Sequence, residues 1–596
     1  MRAGWFAALL LGAVAQAACT REREGARPPN VIVYLVDTLR KDHLSVYGYS
    51  RETSPRLADF ARDAVRFETA YSPTSWTRPA VASLLSGVTP LRHGAISRPD
   101  RVSPEVRLLP EYLGAVGYRS RAFVTNPNVL PVWGFARGFH EFHAVEGADG
   151  VARADEVNEA VFESLREDRD EPFFLYVHTV DPHAPYEPPR LYRGVFPRPS
   201  AAELESRNPA VAARARLADT IAAYDAEVLF NDDCFGAFID FLRSEGLYDD
   251  ALVIFTSDHG EEFRDRGELG HGLGLFQEVV QVPLLVKLPG SAHAGRVVHA
   301  PASLLDVLPT ILALAGGGPA ADVEGVDLQE LLRAEQAGSA AGRPFFLDLD
   351  LAGVTVQRNV VSGVVWGGYK FLDLSEPDPG VLMFDLLADP GERDNLAQRR
   401  RALAVSLQHR LLEHRSPSEV GVHLWLVNAD DEVPRRVEGS LRVAGRFTAL
   451  RAHQLEAGDE VRLPEDGAAL VFHLELRNLP NPIAEPPWRL VDQDRLVFSV
   501  EPPGAVIEVE SLAIDGSPAP LFLGPQARSA GAPIALDPTS AELRVARMTS
   551  LFEATQEASS VAPLGAYLGV VQPSPAPVVV LDPAVEERLR TLGYAN

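Results

Sequence analysis

Several stretches of this chain are apolar on every position and close on acid or imidazole. VIVYLV, residues 31 to 36, runs straight into Asp37. YRSRAFVTN ends at Asn126, PFFLYVHTVDPHAPY carries His178, Asp181 and His183, and ALVIFTSDHGEE carries Asp258 and His259. A strand with no polar side needs cover on both faces. RPAVASLLSG, residues 219–247 and ASLLDVLPTILALAG read as helices between such strands, and VPLLVKLPG as a fifth strand. Alternating strands and helices predict an α/β fold with a mostly parallel sheet and helices on both faces. In such sheets ligands meet the carboxyl ends of the strands. One aspartate there is most often a cap or turn residue. Three acid-bearing ends on one sheet are a stronger signal. Asp and His together, with open positions, suit a divalent metal acting as a Lewis acid.

The 596 residues are enough for two or more structural units. A formal charge of -26 repels phosphate backbones and argues against general nucleic-acid binding. Past residue 415 the texture changes. In ALVFHLELRN, Phe472, Leu474 and Leu476 alternate with Val471, His473 and Glu475, and Pro and Gly clusters separate similar runs. Residues 416–580 are therefore expected to form an antiparallel β-sandwich-like accessory region.

The amino end carries a charge at Arg2, an apolar run from Ala3 to Ala15 and then small residues. Residues 1–18 read as an export signal, too short for an ordinary membrane span. Two processing readings stand. Ala15-Gln16-Ala17 fits a peptidase site, and Cys19 fits the lipid-bearing first residue of a bacterial lipoprotein, although Gln16 sits where such signals usually have Leu. With Cys19 lipidated, 19–28 is a membrane tether, and the expected location is the periplasm or cell envelope. Cys234, in a helical pattern, reads as a packed thiol.

At this point several spaced motifs can be read together: NVIVYLVDTLRKDHLSVYGY, SWTRPAVASLLSG, VDPHAPYEPP, TSDHGEEF, GHGLGLFQEVVQVPLLVKLPG, MFDLLADPGERDNLA and the terminal ERLRTLGY. In this order they resemble the sulfatase branch of the alkaline phosphatase superfamily, over residues 29–415 with a returning helix at 581–596. The resemblance implies the alkaline phosphatase-like fold and a divalent metal beside a covalent nucleophile. It places the metal on Asp37, Asp258, His259 and the Thr77 oxygen. Sulfatases of this branch commonly use an all-oxygen calcium site; here Thr38 and His259 follow the two aspartates, and the imidazole favours Mn or Zn over Ca.

Active sulfatases carry a Cys or Ser, converted to formylglycine, in a C-x-P-x-R pattern. Aligning Pro79 and Gly87 with that pattern puts Thr77 at the nucleophile and Val81 at the arginine. Elementary chemistry supports Thr77 independently. It reads as a helix N-cap, with Pro79 in the first turn, and a helix N-terminus favours an anion. Threonine has one hydroxyl, so release needs attack by water or another acceptor. That favours a phosphothreonine intermediate and phosphate esters over sulfates.

The resemblance also assigns His271 to the leaving oxygen or the substrate, and His183 to the anionic oxygens. His178 and Asp181 are read as substrate contacts, as part of a second metal site, or as orienting His183. Arg78 and Asn126 are read as substrate contacts, and His43 and His93 as structural. Gln281 stands where a cation is common. The expected function is an exported metal-dependent hydrolase of phosphate mono- or diesters, with phosphoryl transfer to another acceptor left open. Two alternatives remain: a sulfuric ester hydrolase, and a catalytically impaired member that binds an anion or glycan. The expected ligand is a small anionic ester, a glycan or a lipid headgroup; the sequence names no protein partner.

Overall fold

The computed structural model describes residues 27–571 apart from single positions and short stretches, the longest being 337–342, 352–358, 415–420, 429–434, 454–458, 477–491 and 536–564. The signal at 1–18, Cys19, most of the tether at 19–28 and the carboxyl-terminal helix at 581–596 lie outside the described residues.

The central sheet is built from β1 (Val31–Val36), β2 (Val65–Tyr71), β3 (Arg119–Val124), β4 (Glu141–Ala144), β5 (Phe173–Thr179), β6 (Leu252–Ser257), β7 (Gln281–Lys287), β8 (Val297–Val298) and β9 (Ala302–Ser303). Its order is β8-β2-β7-β6-β1-β5-β3-β4, with β9 also on β2. β1 lies at the centre, parallel to β5 and β6, and all six of its residues are fully buried. Its side chains divide between two cores. Val31, Val33 and Leu35 join one; Ile32, Tyr34 and Val36 join the other. This is the two-faced burial that the unbroken apolar run demands.

Helix α1 (Thr77–Ser86) and helix α4 (Val307–Ala315) cover the first face through Val81, Leu84, Leu85, Leu308 and Ile311. Helix α2 (Ala154–Glu167) and helix α3 (Pro209–Ser244) cover the second through Val157, Val161, Phe235, Phe238 and Leu242. α3 starts ten residues before the expected 219, because Asn208 caps it by accepting from the Ala210 N–H at 3.0 Å. Asp225 therefore sits inside the helix, where it binds His43 at 2.7 Å, Tyr49 at 2.8 Å and Arg51 at 2.6 Å.

One strand departs from the parallel pattern. β7 is antiparallel to both β6 and β2. The reason is the connection. Residues 258–280 form only a two-residue hairpin (Glu262–Phe263 with Leu269–Gly270) and one short turn of helix, Gln277–Val280. Without a crossover helix the chain stays at the carboxyl edge and must run back down the sheet. That excursion places His271 beside the ends of β1 and β6.

A separate four-stranded antiparallel sheet, Phe345–Leu351, Asn359–Trp366, Tyr369–Glu376 and Gly380–Asp385, was not anticipated as a unit. Further on, two six-stranded sheets face each other. Leu424, Leu496 and Phe498 of one share a core with Val437, Phe472, Leu474 and Ile507 of the other. The alternation in ALVFHLELRN is kept, with Phe472 and Leu474 buried and His473 exposed. The sandwich is antiparallel except where Leu521–Leu523 pairs with Gly565–Val571 in parallel.

Candidate active site

Register builds the site. β1 and β6 pair Val36 with Ser257, so the next residues, Asp37 and Asp258, emerge side by side. The Ser257 hydroxyl accepts from the Leu39 N–H at 3.0 Å and donates to the His259 carbonyl at 2.7 Å, tying both strand ends together. Asp258 Oδ1 accepts the Thr38 and His259 N–H groups at 3.2 and 2.8 Å. Thr38 takes a left-handed φ of 51° to make that bond, which non-glycine residues rarely do.

His259 Nδ1–H donates to the Gly260 carbonyl at 2.8 Å, so Nε2 carries the lone pair and turns toward the carboxylates. Nε2 lies 3.4 Å from Asp258 Oδ2 and 3.8 Å from Asp37 Oδ1. Those two oxygens are buried and accept no hydrogen bond from the described residues. Gly260 is forced by the same packing, since a Cβ there would meet the Glu278 carbonyl at 2.1 Å.

Two buried carboxylates and an unprotonated imidazole nitrogen fit a divalent cation. Among the described residues, Asp37, Asp258 and His259 are the one group of three that could hold a metal. Burial alone would raise Asp37, but the hydrogen bond from His178 and the imidazoles of His183, His178 and His259 outweigh it and hold the carboxyl below its usual range. Burial, followed by the Asp37 charge, pushes Asp258 up to about 7. Burial also lowers His259. A cation at this point would relieve the repulsion between the carboxylates.

Thr77 reaches the cluster from β2. Ser72 N–H donates to the Val280 carbonyl at 2.8 Å where β7 begins, and the Gly272 N–H donates to the Ser75 carbonyl at 2.9 Å. Thr77 Oγ1 ends 3.4 Å from His259 Nε2. Thr77 is the first residue of α1 rather than its cap. Trp76 holds the cap position, and its side chain makes no capping bond. Pro79 sits in the first turn, as expected.

The other predicted residues divide. His271 and His183 lie beside the cluster. The His271 ring centroid is 4.5 Å from that of His259 and 5.0 Å from that of His183. Burial pulls His271 down to about 4; Asp37 opposes this and the Arg98 guanidinium adds to it. His178 and Asn126 stand behind the metal cluster. Tyr176 O–H donates to His178 Nδ1 at 3.3 Å, His178 Nε2–H donates to Asp37 Oδ2 at 3.3 Å, and Asn126 Nδ2 donates to the same oxygen. Both therefore hold Asp37 Oδ2 from behind.

Asp181 sits outside the Asp37–Asp258–His259 group. Its carboxylate accepts from the Ala154 N–H at 2.8 Å at the start of α2 and is absent from the metal group. The Arg78 guanidinium is held by its neighbours. Its guanidinium lies 3.4 Å over the Trp133 ring and donates to the Arg98 and Asp100 carbonyls and to Asn128. Val81, at the position of the missing arginine, packs in the core under α1. His43 and His93 are structural as expected: His43 binds Asp225, and His93 lies 3.0 Å from the Ser83 hydroxyl.

Sequence reasoning missed Glu261, Tyr186 and Arg98. Glu261 Oε1 lies 3.0 Å from His271 Nδ1, and Tyr186 O–H donates to Glu261 Oε2 at 3.0 Å. Glu261 was visible as the acid two residues after His259. Tyr186 and Arg98 left no periodic signal, because each reaches the site from a loop.

Comparison with known proteins agrees with this architecture. Residues 29–317 match the sulfatase family model, and residues 273–416 match the carboxyl-terminal model of N-sulphoglucosamine sulphohydrolase. An ulvan-active sulfatase from Formosa agariphila is 26% identical over 341 residues, covering 51% of this chain and 65% of that protein. Human N-acetylgalactosamine-6-sulfatase is 26% identical over 379 residues, covering 54% and 68%. The crystal structure of a phosphonate monoester hydrolase of Agrobacterium radiobacter superimposes with a TM-score of 0.54 at 21% identity, covering 66% of this chain and 96% of that one.

The fold and the site are thus similar to those of the sulfatase family, whose model matches residues 29–317, just under half of the chain.

Proposed function

We propose that this chain is an exported ester hydrolase that cleaves phosphate mono- or diesters through a covalent bond to Thr77. The observation that carries the reading is Thr77 Oγ1 at 3.4 Å from His259 Nε2, against two buried carboxylate oxygens that accept no hydrogen bond.

Asp37, Asp258 and His259 Nε2, with the Thr77 oxygen, would hold the cation. When bound, a divalent ion supplies positive charge to the anionic ester and eases loss of the Thr77 proton. The imidazole in the set favours Mn or Zn over Ca. The rest is done by the chain. Asn126 and His178 hold Asp37 in place. The amino end of α1 offers partial positive charge to the anion. His183 contacts its oxygens. Thr77 attacks phosphorus as the bond to the alcohol breaks, and His271 supplies the proton that the departing oxygen needs. Water then attacks the phosphothreonine, because threonine has no second hydroxyl to expel the group.

Sulfate-ester cleavage is the second reading. It is favoured by the names of the relatives, an ulvan-active sulfatase and N-acetylgalactosamine-6-sulfatase, which also suggest a glycan as the alcohol. The chain spans 65% and 68% of those two proteins. The phosphonate monoester hydrolase shows that the fold also hosts phosphoryl chemistry.

Export through residues 1–18 and a tether at Cys19 complete the proposal. The chain enters β1 at Val31, on the edge of the sheet opposite Asp37. A strand of that length spans about 20 Å.

The test is metal analysis of the purified protein with a panel of nitrophenyl phosphate mono- and diesters, phosphonates and sulfates, for wild type and Thr77→Ala. Bound Mn or Zn with phosphate-ester turnover abolished by Thr77→Ala is the expected result. Turnover of sulfates alone establishes the second reading. Absence of metal and turnover moves the assignment to an anion-binding member of the family.

A further inference from the structure

The hydrogen bonds around His271 are more constrained than a substrate contact requires. Glu261 is fully buried, and both of its carboxylate oxygens are committed. Oε1 faces His271 Nδ1 at 3.0 Å, and Oε2 accepts the Tyr186 O–H at 3.0 Å. Its backbone is held as well. The Glu261 carbonyl accepts from Arg40 Nη1 at 3.0 Å, and Arg40 is itself paired with Asp42 and Asp265 at 2.8 Å each. Gly260, just before it, has no room for a side chain, since a Cβ there would meet the Glu278 carbonyl at 2.1 Å. The carboxylate is therefore a fixed acceptor, and the imidazole that meets it has one orientation.

We propose that Glu261 is a positioning residue for the reaction: by accepting from His271 Nδ1–H it makes Nε2 the nitrogen that exchanges a proton with the substrate. Tyr186 serves the same purpose one step back, by pinning the second carboxylate oxygen. The inference rests on the reading of His271 as the proton donor to the leaving oxygen.

The cycle balances. Thr77 enters as the alkoxide, its proton already lost to solvent. The bond from Thr77 oxygen to phosphorus forms as the phosphorus–alcohol bond breaks, and the Nε2 proton passes to the departing oxygen. Water then attacks phosphorus, the bond to Thr77 breaks, and the proton of that water returns to Nε2. Throughout, Nδ1–H stays on Glu261. An imidazole rotated by half a turn would present the wrong nitrogen, and a side chain without the anionic acceptor would not hold the imidazolium.

A structural role and a positioning role separate by leaving group. A nitrophenolate departs with little protonation, whereas an alkoxide needs the proton. The experiment measures the first alcohol release in a single turnover, with nitrophenyl and methyl esters of the same phosphate, at saturating metal. Glu261→Gln is expected to slow methyl-ester release by about 100-fold, the scale of general acid catalysis. It is expected to slow nitrophenol release by less than about 10-fold, with metal content unchanged. Tyr186→Phe is expected to show the same bias at a smaller size, and it keeps the test open if Glu261→Gln fails to fold. Equal losses on both esters, no loss on either, or loss of bound metal from the folded Glu261→Gln protein would overturn the proposal. Failure of the underlying reading looks different: Thr77→Ala would still turn over both esters.

Discussion

Two buried charge clusters in this molecule have opposite accounts. Lys370 and Glu392 are both fully buried and pair at 2.8 Å; the second Glu392 oxygen accepts the Gln277 N–H at 2.8 Å, with Arg266 3.5 Å away. Each charge there meets its opposite within the chain. Around Asp37 and Asp258, among the described residues, the ion-pair partners are imidazoles alone, with no Lys or Arg, and Asp37 Oδ1 and Asp258 Oδ2 accept no hydrogen bond. A folded protein rarely leaves such atoms without compensation. The closed pair reads as architecture, joining the four-stranded sheet to the turn before β7. The open cluster reads as a site that takes its missing charge from outside. Burial alone separates neither; the balance of donors and acceptors does.

The sharpest way to break that contrast is at the nucleophile. Thr77→Ala should cost at least about 1000-fold in kcat/KM on phosphate esters while leaving the Asp37–Asp258–His259 cation in place, checked by kinetics beside metal analysis. Equal metal content with normal turnover would detach Thr77 from the chemistry. Next in size, Lys370→Met leaves Glu392 buried without its partner. That should destabilise the protein by about 3–5 kcal/mol in a denaturant titration, to the same extent with and without metal. A loss seen only in the metal-bound protein would mean the two clusters are coupled.

Smaller again, Asn126→Ala removes a donor to Asp37 Oδ2. Cation affinity should fall about 10- to 100-fold, as measured by competition with a chelating dye, while the folded structure persists. The mildest effect is pH. Asp258 is raised to about 7, so protons compete with the cation below that pH. Affinity should climb by up to about tenfold per pH unit toward 7 and then level off. Metal-free protein should move the other way. Its raised carboxyl contributes stability that is full below about pH 4, the unfolded value, and lost as the pH rises through about 7. Thermal melts of metal-free and metal-loaded protein across that range would show opposite slopes.

Much of this was legible in the sequence, for a physical reason. The apolar run of β1 forces a two-faced sheet, and parallel register then sets the residues after Val36 and Ser257 side by side. Asp37, Asp258 and His259 could be read from strand ends. Thr77, His183 and His271 needed the motif resemblance. What the sequence left open was where a side chain turns. Arg78 is adjacent to Thr77 in sequence, yet Trp133 and two carbonyls draw it away. Asp181 precedes His183 by two residues, yet an N–H at the start of α2 claims it. The antiparallel course of β7 follows from a connection with no crossover helix, which strand patterning does not report. Glu261 escaped notice because its partners, His271 and Tyr186, come from different loops.

The most direct test of the central claim is to quench a single turnover with a phosphodiester and map the modified residue by mass spectrometry. The account predicts a phosphoryl group on Thr77, absent in Thr77→Ala and dependent on the divalent cation. A phosphoryl group on any other residue, or turnover with no covalent species and an undiminished Thr77→Ala rate, would contradict it.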